Sequence, residues 1–201
     1  TAVTEGSTHT PGLELRKVYD PSKGLLTLEA YATGSTTTTT STAPVDIVLV
    51  LDVSGSMDDS INGYGSQNKI YALKDAVNGF IDSVAEKSPN SSIAVVKFAS
   101  DKKNDVGNDY NGSGYNYSQI VQNLTAVNEA GANSLKTAVN QLTAAGATRA
   151  DYGMWHAQTI VNGAMGNGRQ KVVIMFTDGQ PSIWRDFSLT VANNAIKASK
   201  S

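Results

Sequence analysis

The feature that most constrains the fold is an apolar run, residues 47–51, that ends directly in a polar turn. A short apolar run rich in β-branched side chains, followed at once by polar residues and glycine, is typical of a strand buried on both faces of a parallel sheet. The turn presents Asp52, Ser54 and Ser56 at alternate positions. Because ligands of such folds bind beyond the carboxyl ends of the strands, this turn is the first place to expect a functional site.

The side chains of this turn offer only oxygen donors. Carboxylate and hydroxyl oxygens suit hard cations such as Mg²⁺, Mn²⁺ or Ca²⁺, whereas zinc sites favour nitrogen and sulfur. Asp52, Ser54 and Ser56 cannot fill an octahedral coordination shell alone. Further ligands must therefore come from other segments of the chain.

Two later segments offer such ligands. Residues 171–177 form a second apolar run, predicted to be a buried strand, and Asp178 and Gly179 follow it. Between the two runs, a loop bounded by Gly146 and Gly153 carries Thr148 just before a helical pattern. Parallel strands would bring the ends of both runs to one edge of the sheet.

Asp-x-Ser-x-Ser, Gly-x-Thr and Thr-Asp-Gly, in this order, resemble the metal-ion-dependent adhesion site of von Willebrand factor type A domains. The resemblance implies that Ser54, Ser56 and Thr148 are direct hydroxyl ligands, and that Asp52 and Asp178 bind directly or through water. The implied cofactor is Mg²⁺, with Mn²⁺ and Ca²⁺ as alternatives. Two carboxylates neutralise a divalent ion, so neutral hydroxyls leave it able to attract a carboxylate from a partner.

Each segment also has a plainer interpretation when it is taken alone. Asp52, Ser54 and Thr148 are residue types that cap helix N-termini, and Asp178 before a glycine is typical of a simple turn. These explanations do not account for all three turns lying where one sheet edge would gather them. We therefore expect a metal site.

The predicted fold class is α/β: a doubly wound, mostly parallel sheet, Rossmann-like and of the von Willebrand type A kind, preceded by a small β segment. Alternating apolar residues around a turn at 20–24 predict a β-hairpin. We expect three regions: 1–34, a hairpin segment of a stalk or companion β domain; 35–44, a Ser/Thr-rich linker; and 45–201, the N-terminal portion of the type A domain.

Within the type A region, apolar periodicity predicts further elements. We expect helices over 70–84, 135–142, 154–161 and 189–198, a strand over 93–98 and a brief edge strand over 120–124. Residues 100–118 are predicted to be a loop, either a flexible insertion or a rim that contacts a ligand. Type A domains have about six strands, so we expect this chain to be an incomplete fragment, completed by a C-terminal remainder that supplies the last strands; the alternative is a shortened domain. Without that remainder, the 171–177 strand would be an exposed edge.

Composition indicates a protein that works outside the cell. The chain has no cysteine in 201 residues, which excludes disulfides and thiolate metal sites. Its net charge of −2 gives no electrostatic reason to bind nucleic acid. No apolar stretch is long enough for membrane insertion. The abundance of Ser, Thr, Asn and Gly is typical of bacterial surface proteins, and the resemblance implies an extracellular location on the cell wall or pilus of a Gram-positive bacterium.

The resemblance implies an adhesion module rather than an enzyme. A hairpin before a type A domain resembles the tip proteins of sortase-assembled pili, whose partners are other pilus subunits and host matrix or cell-surface proteins. The alternatives are a structural pilus or stalk component with an unused metal site, and a metal-dependent hydrolase, against which stands the lack of a phosphate loop or a general base in the motifs. The same resemblance suggests an isopeptide bond at Lys17, an exposed strand lysine being the simpler interpretation. Candidate ligand-contacting residues are Tyr110, Tyr115, Tyr117, Trp184 and Arg185.

Overall fold

The computed structural model describes residues 43–62 and 66–178 in full and residues 14–20 and 25–31 as backbone. The chain divides into two compact units, Thr1–Thr40 and Ser41–Ser201. In the first unit, strands β1 (Glu14–Asp20) and β2 (Leu25–Tyr31) pair antiparallel, with Lys17 opposite Leu28. These strands confirm the predicted hairpin. The roles assigned to the regions 1–34, 35–44 and 45–201, and the isopeptide bond at Lys17, stay predictions.

The second unit alternates strands and helices along the chain. Its elements are β3 (Val45–Asp52), α1 (Lys69–Lys87), β4 (Ser92–Phe98), β5 (Lys102–Val106), β6 (Tyr110–Asn111), β7 (Tyr115–Asn116), β8 (Ser118–Ala126), α2 (Glu129–Asn140), α3 (Ala150–Gly163) and β9 (Gln170–Phe176). A short 3-10 helix, Gly55–Asp58, follows β3. The predicted strands at 47–51, 93–98 and 171–177 and the helices near 70–84, 135–142 and 154–161 are confirmed, whereas the helix predicted over 189–198 lies outside the described residues.

A five-stranded sheet with the order β5-β8-β4-β3-β9 forms the centre of this unit. Strand β3 is parallel to β4 and to β9, and β5 is parallel to β8, whereas β4 and β8 are antiparallel. The mostly parallel sheet confirms the predicted fold class. Because β3, β4 and β9 run in the same direction, the segments that follow them lie at one edge of the sheet.

Helices cover both faces of the sheet. Since side chains alternate along a strand, Leu49 and Leu51 of β3 pack on the face covered by α1 and α2, and Val48 and Val50 pack on the face covered by α3. Each fully buried aliphatic side chain stabilises the fold by roughly 1.5–3 kcal/mol before entropy is counted. The double coverage explains why β3 is an uninterrupted apolar run.

Residues 100–118 differ from the predicted loop. They contain β5, which pairs with β8, and the two-residue strands β6 and β7, which pair with each other. The predicted brief edge strand at 120–124 is instead the nine-residue β8, which lies between β4 and β5. Strand β5 escaped prediction because it is almost wholly polar, as exposed edge strands commonly are.

Strand β9 has β3 as its neighbour and lies at one edge of the sheet that the described residues form. Its Val173 side chain is 39% exposed, unlike the equivalent residues of β3. That further strands complete the domain stays a prediction. In the part of the chain that the structure describes, no helix has the length and apolar character needed to cross a membrane.

Candidate metal centre

Asp52, the last residue of β3, is completely buried at the carboxyl edge of the sheet. Its Oδ1 accepts hydrogen bonds from the backbone N of Ser54 at 2.9 Å and from Ser54 Oγ at 2.6 Å. Its Oδ2 accepts one from Thr177 Oγ1 at 2.8 Å. Thr177 reaches Asp52 because it directly follows β9, the parallel neighbour of β3. Both carboxylate oxygens are therefore held in fixed directions.

A chain of oxygen contacts continues from Ser54 to Asp178. The Oγ atoms of Ser54 and Ser56 lie 3.2 Å apart, and Ser56 Oγ donates to Asp178 Oδ1 at 3.1 Å. Ser56 lies in the 3-10 helix Gly55–Asp58, whose tight turn follows Ser54. The structure thus brings together Asp52, Ser54, Ser56 and Asp178 from segments 122 residues apart. That they bind a metal stays a prediction.

Thr148 lies in the segment between α2 and α3 and is almost completely buried, with 2% of its surface exposed. We call residues 146–148 the metal loop. Backbone hydrogen bonds on both sides of Thr148 tie the segment to the ends of β3 and β4: Ala145 N to Val53 O (2.9 Å), Gly55 N to Gly146 O (2.9 Å) and Arg149 N to Ala99 O (2.8 Å). The loop is therefore fixed at the same sheet edge as Asp52.

Gly146 gives the metal loop its shape. Its φ of +84° lies in the left-handed region that glycine adopts at little cost. A Cβ atom at this position would collide with Ser100 Oγ, which accepts a hydrogen bond from the backbone N of Ala147 at 3.0 Å. Glycine is required here both by conformation and by space.

The two carboxylates give the site a negative field that is only partly compensated. Burial raises the pKa of Asp52 and the charge of Asp178 raises it further, against the opposing effect of hydrogen bonds from Ser54 and Thr177. Asp178 Oδ2 pairs with Lys69 Nζ at 2.7 Å. The hydrogen bond to Asp178 raises the pKa of Lys69, which partial burial opposes. The site thus already binds a cationic group, the ammonium of Lys69, which is the first residue of α1.

The donor set fits a hard divalent cation. Asp52 and Asp178 supply charge, and Ser54, Ser56 and Thr148 supply neutral oxygens, which is the donor chemistry that Mg²⁺, Mn²⁺ and Ca²⁺ prefer. Among the residues the structure describes, no cluster of three or more His, Cys, Asp or Glu side chains could hold a metal. A metal at this edge would thus depend on the hydroxyl ligands.

Three of the five predicted ligand-contacting residues lie in the part of the chain that the structure describes. Tyr115 and Tyr117 pack edge to face, with ring centroids 5.2 Å apart, and Tyr115 Oη donates to Asp101 Oδ2 at 2.6 Å. Asp101 follows Ser100, whose Oγ accepts a hydrogen bond from Ala147 N of the metal loop. Tyr110 lies in β6 and is 43% exposed. Trp184 and Arg185 lie outside the described residues.

Sequence reasoning assigned no role to Thr177 and Lys69, which contact the proposed ligands, or to the buried Lys97. Thr177 carried a usable signal, since its hydroxyl directly precedes Asp178 in the Thr-Asp-Gly motif. Lys69 carried none, because its pairing with Asp178 depends on where α1 begins relative to β9. Lys97 interrupts the apolar run of β4, and it is completely buried. A lysine inside a buried strand is a signal that it has specific polar partners.

A family model of the von Willebrand factor type A domain matches residues 47–180, and the chain belongs to this family. No curated protein gives a significant match.

Several solved structures share the fold. The pilus adhesin SpaC from Lactobacillus rhamnosus GG is 23% identical, with a TM-score of 0.53 over 90% of this chain and 21% of that one. A von Willebrand factor type A protein from Catenulispora acidiphila is 20% identical, with a TM-score of 0.53 over 97% of this chain and 38% of that one. The adhesive tip pilin GBS104 from Group B Streptococcus agalactiae is 24% identical, with a TM-score of 0.50 over 69% of this chain and 46% of that one. At these identities the likeness shows the fold, and the chain spans about a fifth of the length of SpaC.

Proposed function

We propose that this chain is a metal-dependent adhesion module that binds a carboxylate of a partner protein at the candidate metal centre. The observation that carries the proposal is the contact chain of Asp52, Ser54, Ser56 and Asp178. Its oxygen contacts are 2.6–3.2 Å long, and the 3.1 Å contact between Ser56 and Asp178 joins distant segments. Two carboxylates with one lysine leave negative charge at the end of a parallel sheet, where a divalent cation would be bound favourably.

Each residue has a separate role in this proposal. Ser54, Ser56 and Thr148 supply the neutral oxygens, and Asp52 and Asp178 supply the charge that selects a divalent cation, with Mg²⁺ preferred and Mn²⁺ or Ca²⁺ as alternatives. When bound, the cation supplies positive charge to which a partner's Glu or Asp can bind. Ser54 and Thr177 orient Asp52 through hydrogen bonds to both of its oxygens. The proposed activity is binding, without a catalytic step.

The surface beside the centre would select the partner. Tyr115 and Tyr117 offer aromatic area, and Lys103 lies 5.2 Å above the ring of Tyr117 and pairs with Asp109. Aromatic side chains are enriched in protein interfaces. We assign Tyr110, Tyr115 and Tyr117 to this surface, and Trp184 and Arg185 stay assigned to it from the sequence.

We place the module outside the cell, on the pilus or cell wall of a Gram-positive bacterium. The support is the fold shared with the pilus adhesin SpaC and the tip pilin GBS104, together with a surface-protein composition. Its partners would be a host matrix or cell-surface protein, other pilus subunits, and a C-terminal remainder of the same protein. A structural pilus component with an unused metal site is the outcome if no ligand binds.

The test is binding of the full chain to immobilised host matrix proteins, in Mg²⁺ and then in EDTA. Asp178→Asn removes a proposed ligand charge, and Asp75→Asn, an exposed acid on α1, is the matched control. We expect binding in Mg²⁺ that is lost in EDTA and in Asp178→Asn but kept in Asp75→Asn. Binding that persists in EDTA would move the contact surface away from the metal centre and contradict the proposal.

A further inference from the structure

Lys97 is completely buried in β4, and its ammonium group is fully hydrogen-bonded. Its Nζ donates to Asn108 Oδ1 at 2.8 Å, to the carbonyl of Asp109 at 2.7 Å and to Asn116 Oδ1 at 2.7 Å. These acceptors match the three N–H donors of an ammonium. Burial lowers the pKa of Lys97 to about 8, with Asp109 opposing and Lys103 adding to the effect, so the charged form prevails at neutral pH.

A buried charge is an expensive way to fill a core position. Alternation along β4 puts Lys97 on the same face as Ile93 and Val95, which pack in the apolar core under α1 and α2. An apolar side chain of similar volume would avoid the cost of desolvating an ammonium. The geometry around Lys97 therefore calls for a role other than filling space.

The two asparagines that accept from Lys97 also donate to the segment that follows α2. Asn116 Nδ2 donates to the carbonyl of Thr143 at 2.6 Å, and Asn108 Nδ2 donates to the carbonyl of Gln141 at 3.0 Å. The side-chain amide of each asparagine therefore accepts a hydrogen bond through its oxygen and donates one through its nitrogen. Lys97 connects β4 to the β6–β7 hairpin and, through the asparagines, to the segment that leads into the metal loop.

Of these two asparagines, Asn116 also contacts the metal loop. The position that a Cβ of Gly146 would take lies 3.3 Å from the backbone N of Asn116 and 3.6 Å from its carbonyl oxygen. That carbonyl accepts a hydrogen bond from the backbone N of Ser100 at 3.1 Å, and Ser100 Oγ in turn accepts from Ala147 N. Asn116 therefore packs directly on the metal loop.

We propose that Lys97 is a positioning residue for the metal loop: its buried ammonium holds Asn116 against Gly146 and so sets the place of Thr148. The inference rests on the proposed function as far as metal binding is concerned. Its structural part, the ordering of the loop, is independent of any metal.

The first test is the Mg²⁺ affinity of the full chain, measured by titration calorimetry. Lys97→Met keeps the length of the side chain and removes its donors. Asn116→Ala keeps the backbone contact with Gly146 but removes the side-chain amide through which Lys97 holds Asn116 in place. Outer-shell substitutions typically weaken metal binding by 10–100-fold, so we expect both variants to lose about ten-fold. Asn108→Ala, which removes the equivalent amide without the contact to Gly146, should change the affinity less than about two-fold.

A general loss of stability must be separated from loss of positioning. Val77→Ala, a buried truncation on α1, serves as a control of lowered stability. If Val77→Ala or Asn108→Ala weakens Mg²⁺ binding as much as Lys97→Met does, the proposal is wrong. It is also wrong if Lys97→Met and Asn116→Ala bind Mg²⁺ as the unaltered chain does.

Amide hydrogen exchange without added metal gives a second readout. We expect Lys97→Met, or Asn116→Ala if that variant fails to fold, to speed exchange at Gly55 and Ala147 relative to the β3 core, while Val77→Ala does not. If the unaltered chain does not bind Mg²⁺ but this selective change occurs, the metal proposal fails and the positioning role stands. Unchanged exchange at Gly55 and Ala147 would overturn the positioning role itself.

Discussion

Asp52 is the last residue of β3 and Asp178 lies just after β9, and the two acids have different surroundings. Asp52 is fully buried, and both of its oxygens accept hydrogen bonds from neighbouring residues. Asp178 accepts a hydrogen bond from Ser56 Oγ on Oδ1 and one from Lys69 Nζ on Oδ2. The sequence indicated both acids because each follows an apolar strand. It could not indicate Lys69, because that pairing depends on where α1 begins relative to β9.

Lys69 should weaken metal binding, because its ammonium lies 2.7 Å from an oxygen of a proposed ligand. Replacing it by Gln removes a positive charge near the divalent ion, and the Coulombic repulsion, reduced by solvent and salt at this partly exposed site, gives an effect of roughly ten-fold. We therefore expect Lys69→Gln to tighten Mg²⁺ binding by that factor in a calorimetric titration. Lys136→Gln, on α2 and paired with Asp82, is the control and should bind as the unaltered chain does. An unchanged or lower affinity in Lys69→Gln would contradict the electrostatic account of the site.

Lys97 should make stability depend on pH in the alkaline range. Its pKa is about 8 in the folded chain against 10.5 as the ordinary value. Between these values the unfolded chain binds more protons than the folded one, so the contribution of Lys97 to the free energy of unfolding rises with pH; below about 8 both states are protonated and the contribution is flat. Urea unfolding across this range should show the unaltered chain gaining stability relative to Lys97→Met. A difference between the two proteins that does not vary with pH would show that Lys97 titrates normally.

The elements that the sequence predicted are those with strong apolar periodicity. Strands β3 and β9 are apolar runs, and α1 to α3 repeat apolar residues at helical spacing. Strand β8 was underestimated because its buried residues include Gln119, whose amide is satisfied by Asp109 through hydrogen bonds of 2.9 and 3.0 Å. Hydrogen bonds between distant residues leave no periodic signal. The same limit applies to the metal loop, whose position depends on backbone contacts with Gly55 and Asn116.

Gly146 provides a test at the level of the loop. Alanine there would adopt an unfavourable φ and collide with Ser100 Oγ, so Gly146→Ala should lower the free energy of unfolding by roughly 1–3 kcal/mol. Gly79→Ala is the matched control, because Gly79 is exposed on α1 with no atom within 4 Å of an added Cβ. That variant should be more stable by about 0.5–1 kcal/mol, from helix propensity. Equal effects of the two substitutions in denaturant unfolding would show that the metal loop is not constrained as described.

Across the described part of the second unit, the two ends of β3 differ in charge balance. At its start, Asp46 is buried and pairs with Arg169 at 3.2 Å and with Lys171 at 3.1 Å. At its end, Asp52 accepts hydrogen bonds from neutral donors, and Asp178 forms an ion pair with Lys69. The first acid is neutralised within the chain, which stabilises the fold. Asp52 and Asp178 together leave negative charge at the carboxyl end of the strands, where parallel sheets bind ligands.

The most direct measurement is a calorimetric titration of the chain with Mg²⁺, since the proposed adhesion function depends on a metal at this edge. We expect a single saturable site that disappears in Ser56→Ala and in Asp52→Asn and survives in Ser134→Ala, an exposed serine on α2. Absence of saturable binding, or binding that Ser56→Ala and Asp52→Asn both retain, would contradict the account.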